Sequence, residues 1–307
     1  MTTENLGTAV DQGLGFIIPS RHARGRVVRL AATIDAIAAA HAYPPVIERL
    51  LAEALALTAL LGSTLKDAAG QMTLQAQTES GVVTLLVADY QDGKLRGYVK
   101  FDAERLDELG DNPGLEQLFG EGYLAITFDQ ATSGERYQGI VPLEGSSLGA
   151  AAESYFAQSE QIPSLIRIVT TDDGTGLIAG GLLIQHLPEG EEGRERLHTR
   201  LDHPEWEHIA IMGGSIKPEE LLDRELPLET IVWRLFNEED EVRTLPGITL
   251  ARGCRCDRDY VRDVLSRFPE EEKLEMADER GIVSVDCAFC SHAFEFSPED
   301  LNPVTGR

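Results

Sequence analysis

Four cysteines constrain this chain more than any other feature. They are the only ones in its 307 residues, and all four fall in the last fifth. Cys254 and Cys256 stand one residue apart in "GCRCDRDYVRDV"; thirty-one positions after the second, "VDCAFCSHAF" carries Cys287 and Cys290. Two close pairs across a long spacer form a tetrahedral thiolate pattern, because each short loop donates two sulfurs at modest entropic cost. The expected ion is one Zn2+ on Cys254, Cys256, Cys287 and Cys290. The sequence "GIVSVDCAFCSHAFEF" places the second pair in a turn between two apolar runs, as a two-stranded knuckle. The stretches "DRDYVRDVLSRF" and "EEEKLEMADE", parted by Pro269, supply helices. A module this small is marginal on its apolar core alone, so the metal supplies much of its folding energy. His292 is a possible further ligand, but its apolar strand context reads as packing.

The rest of the chain reads as α+β. "VIERLLAEALALTALLGSTLK", residues 46–66, is the clearest helix, with seven leucines and few charges, and is expected in the core. From residue 71 the period shortens to that of strands: "MTLQAQT", "VVTLLVADY", "KLRGYVKF", "YLAITFD", "ERYQGIVPL", "SLIRIVTT" and "LIAGGLLIQHL". Short turns between them predict mostly antiparallel pairing. "LGAAAESYFAQSEQ" reads as a helix, and residues 1–20 as a loose lead-in. The division expected is a core domain at 1–188, a helical linker at 189–253 and a zinc-binding module at 254–307. The linker is acidic, with fifteen acidic and six basic residues between Glu189 and Asp240, yet both tryptophans and a dozen large apolar residues are interleaved. Such a segment folds by laying its apolar face on a neighbour, and its stability depends on that neighbour.

Charge and motifs exclude several functions. A net charge of −25 argues against a nucleic-acid partner, which needs clustered Lys and Arg. No cationic start precedes an apolar run and no apolar stretch is long enough to span a bilayer, so the expectation is a cytoplasmic protein without a membrane partner, its thiols reduced. No phosphate-cradling G-x-x-x-x-G-K-[ST] occurs, and no serine–histidine–acid set assembles from the scattered histidines 22, 41, 186, 198, 203, 208 and 292. Histidines 198, 203 and 208 lie in the hydrophilic linker and read as solvated. A dithiol enzyme would place C-x-x-C at a helix start after a strand, and Cys287 falls between two short strands instead. The expectation is therefore not an enzyme.

The first pair is C-x-C, not the C-x-x-C of a symmetric ribbon. Metal-bound cysteines are held as thiolates, the form oxidants attack; oxidation would release the metal and remove the module's main source of folding energy. At this point the residues resemble the redox-regulated thirty-three-kilodalton heat-shock chaperones of bacteria. The likeness lies in the cysteine arrangement, in "CAFCSHAFEFSPEDL", and in "RGRVVRL", "YPPVIERLLAEALALTALLGSTLK" and "LRGY" of the N-terminal body. The resemblance implies an ATP-independent holdase whose reduced, zinc-bound form is inactive. It implies disulfides Cys254–Cys256 and Cys287–Cys290 on oxidation, an unfolded linker, and a client surface in or near that linker. It also implies an oxidised homodimer and hand-over of clients to ATP-dependent refolding chaperones. The competing reading is a constitutive zinc-ribbon interaction module without redox switching.

Overall fold

The computed structural model describes residues 10–110, 112–187 and 204–301. The chain divides into two units, Met1–Arg252 and Gly253–Arg307.

In the first unit, β1 (Gln12–Ile18) and β2 (Ala23–Leu30) form an antiparallel hairpin. A short helix α1 (Ala32–Ala38) leads to α2 (Pro45–Gly62). Pro45 opens α2, where a missing N–H costs nothing. Three strands follow, β3 (Gln71–Thr78), β4 (Val83–Gln91) and β5 (Lys94–Phe101), then the single turns α3 (Ala103–Asp107) and α4 (Leu115–Phe119). The hairpin β6 (Gly122–Asp129) and β7 (Arg136–Pro142) completes a sheet ordered β5-β4-β3-β6-β7. Helix α5 (Leu148–Tyr155) leads back to β8 (Ser164–Asp172) and β9 (Leu177–His186), which join the first hairpin in the order β1-β2-β9-β8.

Helix α2 fills the space between the two sheets. Ile47, Leu51, Leu55 and Leu60 are fully buried and share one core with Val28, Leu30 and Leu183 of one sheet and Leu74, Leu86 and Ile126 of the other. Alternation on β3 puts Met72, Leu74 and Ala76 inward and the glutamines outward, as its period requires. The first sheet has a second apolar face, and the linker covers it. Helices α6 (Pro204–Gly214), α7 (Pro218–Leu222) and α8 (Leu228–Phe236) place Trp206, Ile209, Leu221, Ile231, Val232 and Phe236 against Leu14, Phe16, Ile18, Val27, Leu182 and Ile184. On α8 the buried set is Leu228, Ile231, Val232, Leu235 and Phe236, a single helical stripe. The chain then returns to the sheets as β10 (Arg243–Thr244), β11 (Ile248–Thr249) and β12 (Ala251–Arg252). The first two pair with β1, and β12 pairs with β5 in the one parallel ladder among the described residues.

One expectation needs correction. Residues 12–18 are not a loose lead-in but β1, bonded along its full length to β2. Gly13 and Gly15 interrupt the apolar alternation there, and a Cβ on Gly15 would lie 2.9 Å from the ends of the Arg26 and Leu245 side chains, which would have to shift. The strand is defined by what packs on it, a relation its own residues do not display.

The second unit holds α9 (Arg258–Leu265), α10 (Glu270–Glu275) and the antiparallel pair β13 (Val283–Asp286) and β14 (Ala293–Phe296). Its core among the described residues is only Leu265, Val283, Phe294, Phe296 and Leu301.

Candidate metal centre

The second cysteine pair is built by a hairpin turn. Register Asp286↔Ala293 ends the β13–β14 ladder, and the Cys287 N–H donates to the His292 carbonyl at 3.0 Å. Inside the turn, the N–H groups of Cys290 and Ser291 both donate to the Cys287 carbonyl, at 3.2 and 2.8 Å. Ser291 closes it with φ of +56°, a left-handed conformation that non-glycine residues adopt only under constraint. The first pair sits on the loop before α9, whose first turn is capped by the Asp257 carboxylate accepting from the Asp259 N–H at 2.7 Å.

The two loops bring all four sulfurs within 4.8 Å of one another. The Cys254 and Cys287 sulfurs are 3.6 Å apart, as are those of Cys256 and Cys290. Four thiolates around a tetrahedral ion at a metal–sulfur distance of about 2.3 Å would stand about 3.8 Å apart. The cluster therefore fits such an ion, and its donor set is consistent with zinc. His292 lies outside it: its ring is exposed and packs edge-on against Phe294 at 4.6 Å.

The thiols differ in acidity. Burial pushes the Cys254 thiol up, but the Cys256 N–H and the adjacent cysteine side chains outweigh it and bring its pKa down to about 7. Cys256 and Cys287 are raised, by burial first and then by the neighbouring sulfurs. One thiolate forms readily, and its charge opposes the next. A divalent cation held by Cys254, Cys256, Cys287 and Cys290 would reverse that opposition and favour all four as thiolates.

Packing around the site is thin. Cys256 and Cys287 lean on the small core. Lys273, 5% exposed, donates to the carbonyls of Ser266 and Leu301, each at 3.0 Å, tying α9 to the end of the described chain. Arg258 stacks over Phe296 at 4.4 Å. Among the described residues the buried apolar core of this unit is five side chains, too few to dominate its packing.

The linker is held to the first sheet by polar contacts that its composition does not announce. Arg29 of β2 is fully buried, and donates from Nε to the Leu221 carbonyl at 2.8 Å, and from its two terminal nitrogens to the carbonyls of Leu226 at 2.7 Å and Glu220 at 2.9 Å. It thereby satisfies the open carbonyl end of α7. Gly180, opposite Arg29 on β9, makes the approach possible: a Cβ there would meet the Leu221 carbonyl oxygen at 2.4 Å. Glu239 accepts from Arg21 Nε at 2.8 Å and meets His208 Nε2 at 2.8 Å, joining the β1–β2 turn to both ends of the helical segment. His208 was expected to be solvated; it is part exposed but engaged, because α6 carries it to a buried carboxylate. Arg224 pairs with Asp173 at 2.7 Å. His198 and His203 lie outside the described residues.

Comparison with known proteins agrees with this architecture. The model of the Hsp33 protein family matches residues 11–297. A 33 kDa chaperonin of Caulobacter vibrioides is 39% identical over 300 residues, covering 95% of this chain and 96% of its own. A 33 kDa chaperonin of Yersinia pestis is 34% identical over 291 residues, at 95% and 94% coverage. The crystal structure of a 33 kDa chaperonin from Thermotoga maritima superposes with a TM-score of 0.75 at 24% identity, over 95% of this chain and 96% of its own, and so shares the fold. The family match and these relatives define a chaperone, here with a small unit whose four clustered cysteines could hold a metal ion. The chain belongs to the Hsp33 family. No helix of the described residues is long and apolar enough to cross a membrane.

Proposed function

We propose that this chaperone is an ATP-independent holdase switched by oxidation of its cysteine cluster. Its functional parts are a core at 1–188, a linker at 189–253 and a switch at 254–307, with no catalytic role. In the reduced state Cys254, Cys256, Cys287 and Cys290 hold one Zn2+, and the linker covers the first sheet. Oxidation forms Cys254–Cys256 and Cys287–Cys290: each pair of thiolates gives two electrons to the oxidant, a peroxide or hypochlorite, and joins as a disulfide. With its thiolates consumed the ion leaves, and the switch unit loses the binding energy that kept it folded. The linker then yields, uncovering Leu14, Phe16, Ile18, Val27, Leu182 and Ile184 as a surface for unfolding proteins. The oxidised protein acts as a homodimer in the cytoplasm and passes clients to ATP-dependent refolding chaperones.

The observation that carries this reading is the pairing of two marginal elements: a unit with five buried apolar side chains around four clustered thiols, and a linker whose removal would bare a continuous apolar sheet face. The acidic balance of the chain supports it, since a charged chaperone keeps an apolar complex in solution. The test compares zinc-loaded reduced protein with protein treated with peroxide at mildly raised temperature, following light scattering from a thermally unfolding client. Only the treated form should suppress scattering. Equal suppression by both would favour a constitutive zinc-ribbon interaction module.

A further inference from the structure

The linker also finishes a sheet edge. One side of β1 is bonded to β2 throughout; the other meets only the two-residue strands β10 and β11. The Gly15 carbonyl accepts from the Leu245 N–H, and the Asp11 carbonyl from the Leu250 N–H, both at 2.8 Å. Pairing is Phe16↔Thr244 and Ile17↔Arg243 at one end of β1, and Gln12↔Thr249 and Gly13↔Ile248 at the other. Between them stands "LPG", residues 245–247, where Pro246 has no N–H and the register slips by one residue. The strap pairs with Gln12, Gly13, Phe16 and Ile17 and bonds the Gly15 carbonyl, but it forms no ladder pair with Leu14, Gly15 or Ile18.

We infer that, once the linker is released, this edge of β1 is a docking strip for one extended segment of an unfolding protein, added antiparallel in place of residues 243–249. The inference rests on the oxidation-switched reading above and specifies how the client is held. Three features select that occupant. The edge already takes an extended antiparallel chain, so its donors and acceptors are correctly disposed. Leu14, Phe16 and Ile18 lie on the face that the linker helices vacate, so an added strand with alternating apolar residues would extend that face by one row. A client segment without proline can pair along all seven residues of β1, where the strap pairs with four. A second copy of β1, with Leu14, Phe16 and Ile18 in alternation, is the competing occupant that the test separates by its dependence on protein concentration. The class of ligand is thus a stretch of about seven residues with strand-forming, alternating apolar side chains, recognised through its backbone as well as its surface.

The test uses the oxidised full-length protein and reduced, carboxymethylated lactalbumin as client. Two competitor peptides are compared: a seven-residue alternating Val/Thr sequence, and the same sequence methylated at alternate backbone nitrogens along one edge. Side chains are identical; only strand pairing differs. The methylated peptide should displace client about tenfold less well, the loss expected for a few backbone hydrogen bonds. In parallel, hydrogen exchange of the Gly13 and Ile17 N–H groups, which face the strap and not β2, should be slow in reduced protein, fast after oxidation and slow again with client bound, while residues 243–250 stay fast. Equal displacement by both peptides, or Gly13 and Ile17 still fast under saturating client, would overturn the strip and leave the holdase intact. Protection of Gly13 and Ile17 that returns without client as protein concentration rises would assign the edge to a second copy instead. Failure of the oxidised, zinc-free protein to bind lactalbumin at all would sink the switched reading, and the strip with it.

Discussion

At the residue scale, Arg29 is the sharpest test of how the linker is held. Its guanidinium is fully buried and answers three backbone carbonyls, and an unsatisfied buried carbonyl costs about 1–3 kcal/mol. Arg29→Leu should loosen α7 without touching a cysteine. The expected outcome is a reduced, zinc-loaded protein that already suppresses client scattering; an inactive reduced variant would show that this contact does not restrain the linker. Ser291 tests the metal unit in the opposite direction. Its left-handed backbone suits glycine, so Ser291→Gly should stabilise the zinc-bound turn by about 1 kcal/mol and slow zinc release to a chelator. His292→Ala should leave zinc content at one per chain, because the histidine is outside the sulfur cluster; a fall in zinc content would restore it as a ligand.

At the scale of elements, the linker's attachment depends on pH. Burial raises the pKa of Glu239, but the hydrogen bonds from Arg21 and His208 outweigh that and hold the carboxyl below the ordinary range. Asp173 is held well down by Arg224 and by Thr175. Both carboxyls are more acidic in the fold than in an unfolded chain. Their stabilisation is therefore complete above the ordinary carboxylate range and is lost as pH falls through their folded-state values, below about pH 4. Trp206 is buried and Trp233 is 65% exposed, so a red shift of tryptophan emission reports release of α6. That shift should appear in acid with the thiols reduced, and Glu239→Gln should bring it on at neutral pH. An unchanged spectrum in the variant would remove Glu239 as a tether. The same elements show what periodicity reveals. Helix α2 and strands β3 to β6 were legible because each keeps one period over many residues. Strands β10 to β12 were not: two residues carry no period, and their partners lie more than two hundred residues back in β1 or some hundred and fifty back in β5. Arg29 was equally hidden, since "RVVRL" looks the same whether its last arginine faces water or the end of a helix 190 residues away.

At the scale of the whole chain, the four cysteines were legible as one site because their spacing alone limits the chemistry, and the fold brings their sulfurs together. What spacing could not show is that residues 204–252 belong to the first unit, cover one face of its sheet and end two residues before Cys254. In the proposed mechanism that continuity of chain couples metal to linker. The most direct measurement follows one sample of reduced, zinc-loaded protein after peroxide is added at raised temperature. Free zinc, tryptophan emission and suppression of client scattering are recorded together. The account predicts that zinc appears first or with the red shift, that suppression tracks the red shift, and that reducing agent with zinc reverses all three. Suppression that develops while zinc stays bound and Trp206 stays buried would contradict it.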